Sequence, residues 1–284
     1  ERLLATSRIA PNYFSKPSVL DSCDDQVGPV IALVRDLAFD NDAVAELGIR
    51  IQLPANGEVR ARKLISRSRR VMTGKYPSWK MRRLIHWESR LESKVFRLLD
   101  VCPAVKKFSE QPFTIHYVVD GCWHAHVPDV AFLTCDGTLW ILEIKSELDR
   151  ALADALARAE VITPRLKCLG FNYAVVKQRD IAAGTSLCNA ETLLRFGRAA
   201  PSAIAHQIIS RMLGEQSSLS RKDVIGHVID GKHAFHAAAQ LALRGDVSLN
   251  WGEANHKHLN IQSLREENTK ESLSWLQRAL GVTK

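Results

Sequence analysis

Cysteine is scarce in this chain of 284 residues, and its six copies are scattered without forming a single C-x-x-C pair. That usage favours a reduced, cytoplasmic protein over a disulfide-stabilised one. Long apolar runs are missing too, since stretches such as Val30 to Val34 are far too short to cross a bilayer. The N-terminal residues also lack the apolar core and the cleavage pattern of a secretory signal. We therefore expect no membrane partner.

Two common catalytic patterns are absent as well. The sequence contains no P-loop, so any use of ATP is expected to belong to a partner, and it contains no Ser-His-Asp arrangement. It has no internal repeat and no low-complexity tract, and its 46% hydrophobic and 25% charged residues are ordinary for a globular protein. Wholesale disorder and fibrous repeats are thus excluded, and the length suffices for two domains of ordinary size.

Acidic residues are absent from residues 60–83, a segment called the basic run below. It contains ten lysines and arginines, whereas the whole chain has a net charge of +8, so the rest of the chain carries −2. Side chains at this density neutralise phosphates and release counterions, which favours nucleic-acid binding. A solvated helix face is the alternative, and a membrane surface fits less well because no apolar stripe accompanies the charge. The residues predicted to contact DNA are Arg67, Arg69, Arg70, Lys75, Lys80, Arg82 and Arg83.

The pattern of the next hundred residues predicts an α/β core with a mixed β-sheet flanked by helices. Apolar residues recur at helical spacing at first, and β-rich runs separated by turn signals follow. Asp120-Gly121 is the preferred two-residue turn of a hairpin. The expected elements are a helix over Leu84–Asp100, a meander of strands over Phe113–Val119, Trp123–Leu133 and Leu139–Lys145, a helix over Glu147–Val161 and a strand over Phe171–Lys177.

Sequence patterns typical of helices predominate from about Ala199 onward. Ser220, followed three residues later by Asp223, predicts a helix N-terminus. The other expected elements are helices over Ala203–Leu213 and Lys232–Leu243 and a two-stranded wing over Val247–Trp251 and Lys257–Ile261. This order is typical of a winged-helix module. The predicted divisions of the chain are an N-terminal extension of unassigned role (1–57), a basic DNA-contacting segment (58–83), a catalytic α/β domain (84–185) and a C-terminal helical, winged-helix-like domain for partner or DNA contacts (186–284).

Three charged residues are predicted to converge at one edge of a hairpin. Asp129 is expected in one strand, and Glu143 and Lys145 lie two residues apart on the next, so both point to the same face. Placing two carboxylates side by side is costly unless a cation neutralises them. Mg²⁺ does so with one or two carboxylates plus a substrate phosphate. An exposed ladder of salt bridges is the alternative.

The preceding helix is expected to add two acids. Glu88 falls inside its apolar stripe and Glu92 at the edge of that stripe, so both would face the sheet. Acids on the buried side of an amphipathic helix break the binary pattern, and such violations tend to mark functional sites. One of the two could instead be a structural partner of Arg90 or Lys94.

Five short segments that follow one another in a fixed order form a more specific motif than the three charged residues alone. They are Glu88-Ser-Arg-Leu-Glu92, Leu98-Leu99-Asp100, Glu110-Gln111-Pro112, His126-Val-Pro-Asp129 and Glu143-Ile-Lys145. In this order they resemble the TnsA-type endonuclease subunit of heteromeric (Tn-seven-like) bacterial transposases, which belongs to the PD-(D/E)xK nuclease superfamily. The resemblance covers roughly residues 75–180 and implies a restriction-endonuclease-like core.

The resemblance also implies a role for each matching residue. Asp129 and Glu143 would hold Mg²⁺, for which Mn²⁺ can substitute, helped by the backbone carbonyl of Ile144. Glu92 would complete the metal shell directly or through water, although Glu88 remains a candidate. Lys145 would orient the attacking water and stabilise charge on the scissile phosphate. Gln111 and His126 would be supporting residues near the phosphate, and no general acid or base is assigned.

Transposase subunits of this type cut the 5′ (non-transferred) strands at transposon ends during cut-and-paste transposition. The resemblance therefore implies transposon-end DNA as substrate, with a DDE-type transposase and an AAA+ ATPase regulator as partners. It also implies a bacterial protein that is nucleoid-associated when on DNA. Two alternatives stay open: a stand-alone nuclease of restriction or repair, and a non-catalytic DNA-binding adaptor. The segment before the basic run matches no family feature.

Overall fold

The computed structural model describes residues 47–55, 58–62, 72–182, 184–198, 203–220, 222–224, 231–251, 259–263 and 266–282. Three of the predicted DNA contacts, Arg67, Arg69 and Arg70, lie outside the described residues, as does most of the N-terminal extension. Within the described part of the chain, no helix is both long and apolar enough to span a membrane.

Strands and helices are mixed along the described part of the chain. The strands are β1 (Ile49–Gln52), β2 (Gly74–Pro77), β3 (Leu84–Trp87), β4 (Val105–Glu110), β5 (Thr114–Val119), β6 (Cys122–His126), β7 (Val130–Thr134), β8 (Leu139–Lys145), β9 (Phe171–Lys177), β10 (Ser218–Ser220), β11 (Val247–Trp251) and β12 (Leu259–Ser263). The helices are α1 (Arg90–Val101), α2 (Leu152–Cys168), α3 (Gln178–Ala182), α4 (Ser186–Gly197), α5 (Ala203–Glu215), α6 (Gly231–Arg244) and α7 (Glu266–Ala279).

A four-stranded sheet in the order β4-β7-β8-β9 forms the centre of the core. Its first three strands are antiparallel neighbours, whereas β8 and β9 run parallel. A parallel neighbour requires a crossover, and α2 supplies it. The predicted α/β class with a mixed sheet is therefore confirmed, and the bounds predicted for β8 and β9 match the structure residue for residue.

A second sheet in the order β1-β5-β6 contains the predicted hairpin. Asp120 and Gly121 both have positive φ, 49° and 76°, as a two-residue hairpin turn of the favoured twist requires. The single strand predicted over Trp123–Leu133 is wrong. It is two strands, β6 and β7, which belong to different sheets, so the predicted three-stranded meander is wrong as well. Pro128 lies in the break and has no N–H to continue a ladder.

The helix predicted over Leu84–Asp100 begins later than expected. Its first four residues form β3, which pairs with β2 as a separate hairpin, and α1 begins at Arg90 after the N-cap Ser89. Apolar residues in β3 alternate over too few positions to distinguish a strand from a helix by periodicity. Glu88 therefore precedes the helix, and the predicted pair of acids on one helical face is wrong.

The helix predicted over Glu147–Val161 also begins later, at Leu152. Residues 146–151 form the connection, with the Asp149 N–H donating to the Ser146 carbonyl and the Leu152 N–H to the Asp149 carbonyl. Glu147 thus lies in the connection after β8. The helix then continues to Cys168, beyond Pro164.

The C-terminal elements follow the predicted order with additions. Helices α5 and α6 begin within a residue of expectation, and Ser220 and Asp223 exchange reciprocal hydrogen bonds as predicted. The two strands predicted to form a wing, β11 and β12, pair with each other, but β10 joins them in a three-stranded sheet in the order β10-β12-β11. Helices α4 and α7 were not predicted. One continuous apolar core connects α1 to α4, α6 and α7, so the α/β region and the C-terminal region pack as neighbours along α1.

Candidate active site

The structure brings Asp129, Glu143 and Lys145 together where β8 ends. Asp129 lies in the bend just before β7 rather than in a strand, and its Oδ2 accepts a hydrogen bond from the Ile144 N–H at 2.7 Å. The Lys145 ammonium lies between the two carboxylates, with Nζ 2.8 Å from Glu143 Oε1 and 3.7 Å from Asp129 Oδ2. Although burial lowers the pKa of Lys145, the two acids raise it overall, so the lysine stays charged.

Glu143 is surrounded by nitrogens from three elements. Besides Lys145, Arg158 of α2 places Nη2 at 3.1 Å from Oε1, and His126 at the end of β6 places Nε2 at 2.6 Å from Oε2. The Glu143 side chain is only 2% exposed. Burial raises its pKa, but His126 and Lys145 outweigh burial and lower the pKa overall. Glu143 is therefore held as a carboxylate.

Asp129 has the opposite electrostatic environment. Burial is the main cause that raises its pKa, the charge of Glu143 raises it further, and Lys145 offsets only part of this. Its carboxylate is thus the under-neutralised member of the pair. A buried carboxylate in this state gains from an additional cation, which is the condition that a divalent metal satisfies.

Glu92 is the third residue of α1 and takes part in a capping arrangement. Its N–H donates to Ser89 Oγ at 3.1 Å, and its Oε2 accepts the N–H of Glu88 at 3.0 Å. Burial raises the pKa of Glu92, while the charge of Lys145 lowers it, so the carboxyl lies within electrostatic reach of the β8 cluster. Ser89-x-x-Glu92 is a capping-box sequence, the signal that would have located the helix start correctly.

Gln111 connects the start of the basic run to the Asp129 bend. Its backbone N–H donates to the Asp129 carbonyl at 2.9 Å, and its carbonyl accepts the Ala61 N–H at 2.8 Å. Its side-chain Nε2 donates to Glu88 Oε2 at 3.2 Å, an oxygen that also contacts Arg62. The non-glycine φ of +44° at Gln111 marks a constrained junction. Glu88 therefore faces Arg62 and Gln111 and belongs to this junction.

The residues at the β8 cluster fit a divalent cation with oxygen ligands. Among the described residues, Glu143 Oε2 and Gln111 Oε1 are buried side-chain oxygens without a hydrogen-bond partner. The close contact from His126 does not have hydrogen-bond geometry, so it leaves Oε2 with acceptor capacity. In the same part of the chain, no group of three or more His, Cys, Asp or Glu could hold a metal by itself. Two carboxylates and a backbone carbonyl would therefore leave positions to water or a phosphate, as Mg²⁺ prefers.

Part of the basic run is committed to internal partners. Arg83 forms a bidentate pair with the buried Glu110 at 2.8 and 2.6 Å. Lys80 Nζ donates to the carbonyls of Cys102 and Val105 at 2.6 Å each, and burial lowers its pKa. We therefore remove Lys80 and Arg83 from the predicted DNA contacts. Lys75 and Arg82 are exposed and remain in that set.

Asp100, from the segment Leu98-Leu99-Asp100, is fully buried and has a structural role in the fold. It anchors the turn between β2 and β3 to the end of α1. The groups that donate to its carboxylate at 2.7 to 2.8 Å are Tyr76 Oη, Ser78 Oγ and the backbone N–H groups of Trp79 and Lys80.

Arg158 and Tyr173 are site residues that the sequence analysis missed. Arg158 contacts Glu143 directly, and the charge of Glu143 is the second cause, after burial, that raises the pKa of the Tyr173 hydroxyl. Neither residue belongs to a local motif. Only the parallel crossover through α2 to β9 brings them to the acids, so no pattern in the sequence marks them.

Comparison with known proteins adds little. No family model matches the chain, and no curated protein matches it. Among solved structures, protein VC1899 from Vibrio cholerae is similar to part of the chain, at 21% sequence identity and a TM-score of 0.23. The match covers 34% of this chain and only 27% of that one. A TM-score this low supports no inference about fold or function.

Proposed function

We propose that the chain is a Mg²⁺-dependent DNA endonuclease, the transposase subunit that cuts the 5′ strands at transposon ends. The observation that carries the proposal is the cluster of Asp129, Glu143 and Lys145, in which one carboxylate is under-neutralised and the other keeps a buried oxygen without a hydrogen-bond partner. The ordered motif series supports the same activity. A restriction-endonuclease-like core and a winged-helix C-terminal module belong to this proposal.

Each residue of the cluster has a task in phosphodiester hydrolysis. Asp129, Glu143 and the Ile144 carbonyl would hold the ion, which when bound supplies positive charge at the scissile phosphate and a water more acidic than bulk water. Arg158 and His126 hold the Glu143 carboxylate in place. Lys145 donates hydrogen bonds toward the attacking water and the developing negative charge. Together with Glu92 the cluster has three carboxyl groups and two permanent cations, Lys145 and Arg158, so full ionisation of the acids would give the site a net negative charge for the ion.

A non-catalytic DNA-binding adaptor is the second candidate, and one observation favours it. The three nitrogens that contact Glu143 belong to side chains of the protein. Lys145, Arg158 and His126 therefore already neutralise part of the charge of this carboxylate without a metal ion. In an adaptor these contacts would be a permanent buried ion network. Such a protein binds DNA equally well with and without divalent cations and never cuts it.

A strand-specific cleavage assay tests the proposal. Transposon-end DNA is incubated with Mg²⁺ and the protein, alone and with a DDE-type transposase from the same organism. We expect cutting of the 5′ strands with the partner present, and its loss in Asp129→Ala but not in Asp154→Ala, a change at an exposed acid of α2. Cutting by the protein alone would favour the stand-alone nuclease, and an Asp129→Ala variant that still cuts would contradict the assigned site.

A further inference from the structure

The outer face of the β1-β5-β6 sheet carries exposed side chains, Arg50 and Trp123, on its two edge strands. In its antiparallel register Arg50 lies opposite His116, and Trp123 lies opposite Val118. Strand alternation places these four residues on one face. The other face is apolar and is packed in the core through residues such as Ile115.

Trp123 and Arg50 form the centre of this face. The indole is 49% exposed, and the Arg50 guanidinium lies over it at 5.1 Å from the ring centroid. None of the residues in the three strands is acidic. An exposed aromatic ring beside an arginine, without nearby strand carboxylates, is the combination on which unpaired nucleic-acid bases stack.

Strand β6 connects this outer face of the sheet to the cluster of Asp129, Glu143 and Lys145. Strand β6, at the edge of its sheet, carries Trp123 on the outer face and ends at His126, which pairs with Ile115 on the opposite face and contacts Glu143. A nucleic-acid strand that reaches both residues therefore passes over the β6 edge. Three residues of strand span about 10 Å. A nucleic-acid strand advances about 3.4 Å per nucleotide along a duplex, so this corresponds to only a few nucleotides.

We propose that this face, built on Arg50 and Trp123, binds unpaired bases of the DNA strand that enters the Asp129 cluster. The inference rests on the proposed function, because it names the form of DNA which that site would take. The preferred substrate is duplex DNA with a single-stranded or opened segment beside the cut. Trp123 stacks on a base, and Arg50 pairs with the adjacent phosphate while supporting the ring.

Binding measured without cleavage tests the proposal. Full-length protein carrying Asp129→Ala is titrated in EDTA with fluorescein-labelled duplexes that have either blunt ends or a short single-stranded extension. We expect the extended duplex to bind more tightly, and Trp123→Leu to weaken that binding about ten-fold while changing blunt-duplex binding less than about two-fold. Arg50→Gln should act in the same direction. Ile204→Ala, an exposed apolar residue of α5, is the matched control and should have no effect.

Several results would overturn the proposal. One is equal binding of the two duplexes, and another is a Trp123→Leu variant that binds the extended duplex as tightly as its parent. A third is that Trp123 fluorescence, isolated by difference against Trp123→Leu, is already shielded from acrylamide without DNA. Another segment or a second copy would then cover the face. If wild type never cuts DNA but the Trp123-dependent preference persists, the nuclease proposal fails and the binding face stands.

Discussion

Asp129 and Glu143 are neighbouring acids that their surroundings drive in opposite directions. Glu143 is neutralised by nitrogens from three elements, whereas Asp129 has one hydrogen bond from a backbone N–H and a more distant lysine. Pairs of titratable groups pushed apart in this way are typical of functional sites. We expect the pH dependence of the free energy of unfolding to reflect the opposite pKa shifts of the two acids.

Replacing Asp129 by Asn is expected to stabilise the protein in EDTA at neutral pH. Burial and Glu143 raise the pKa of Asp129 in the folded state, so its ionisation costs stability as pH rises above the usual range of an aspartate. Asparagine removes that charge and can still accept the Ile144 N–H. We expect a gain of about 0.5–2 kcal/mol near pH 7 that disappears near pH 4.

Urea unfolding at the two pH values measures this effect. Asp154→Asn, which removes the same charge at an exposed position, should leave the free energy of unfolding nearly unchanged. A loss of stability at neutral pH in Asp129→Asn would show that the carboxylate is well neutralised without a metal. The electrostatic account of the site would then be wrong.

Glu92, near the N-terminus of α1, has two possible roles. Glu92 accepts the N–H of Glu88, the residue before the N-cap Ser89, and it also lies within electrostatic reach of Lys145. Glutamine serves a capping box as well as glutamate does. The two tasks can therefore be separated by substitution.

Ser89→Ala is expected to lower the free energy of unfolding by about 1 kcal/mol, because the Glu92 N–H loses its partner. Glu92→Gln should stay within about 0.5 kcal/mol of wild type, yet weaken divalent-cation binding if Glu92 completes the metal shell. Chemical denaturation and metal titration measure the two effects. Unchanged metal binding in Glu92→Gln would assign the residue to the cap alone.

The sequence predicted those elements whose patterns are unambiguous. The strand that carries Glu143 and Lys145, β8, and its parallel neighbour, β9, match because each is a β-rich run bounded by turn residues. The predicted start of α1 is wrong because β3 is too short for its two-residue period to be distinguished from a helical one. The single strand predicted over Trp123–Leu133 is wrong because the chain passes from one sheet to another near Pro128, and only tertiary packing determines which sheet β7 joins.

The sequence predicted the charged residues at the centre of the site but not the side chains that surround them. Asp129, Glu143 and Lys145 belong to local motifs, and the hairpin β7–β8 brings them together. Arg158 reaches Glu143 from the middle of α2, a position that depends on how the crossover packs on the sheet. No local pattern encodes such a contact.

At the scale of the whole molecule, the basic run serves two purposes. Some of its cations hold the fold together, as Arg83 does with the buried Glu110, and others remain at the surface. Its total charge therefore overstates the positive charge that it exposes at the surface. The exposed and the internal members should respond differently to substitution.

Lys75→Ala is expected to weaken DNA binding uniformly across sequences and to reduce the salt dependence of log K by about one. Lys80→Met should instead lower the free energy of unfolding by about 1–3 kcal/mol, because two buried carbonyls lose their donor. Salt-dependent titrations and urea unfolding distinguish the two. A Lys80→Met variant of normal stability and reduced DNA affinity would return that lysine to the DNA surface.

Divalent-cation binding to the DNA-free protein tests the central claim most directly, since it requires neither a partner nor a known DNA end. Isothermal titration with Mn²⁺ and Mg²⁺ compares wild type with Asp129→Asn and Asp154→Asn. We predict saturable binding to wild type and Asp154→Asn that is lost in Asp129→Asn. Equal binding by all three proteins, or none by wild type, would contradict a metal site at Asp129 and Glu143.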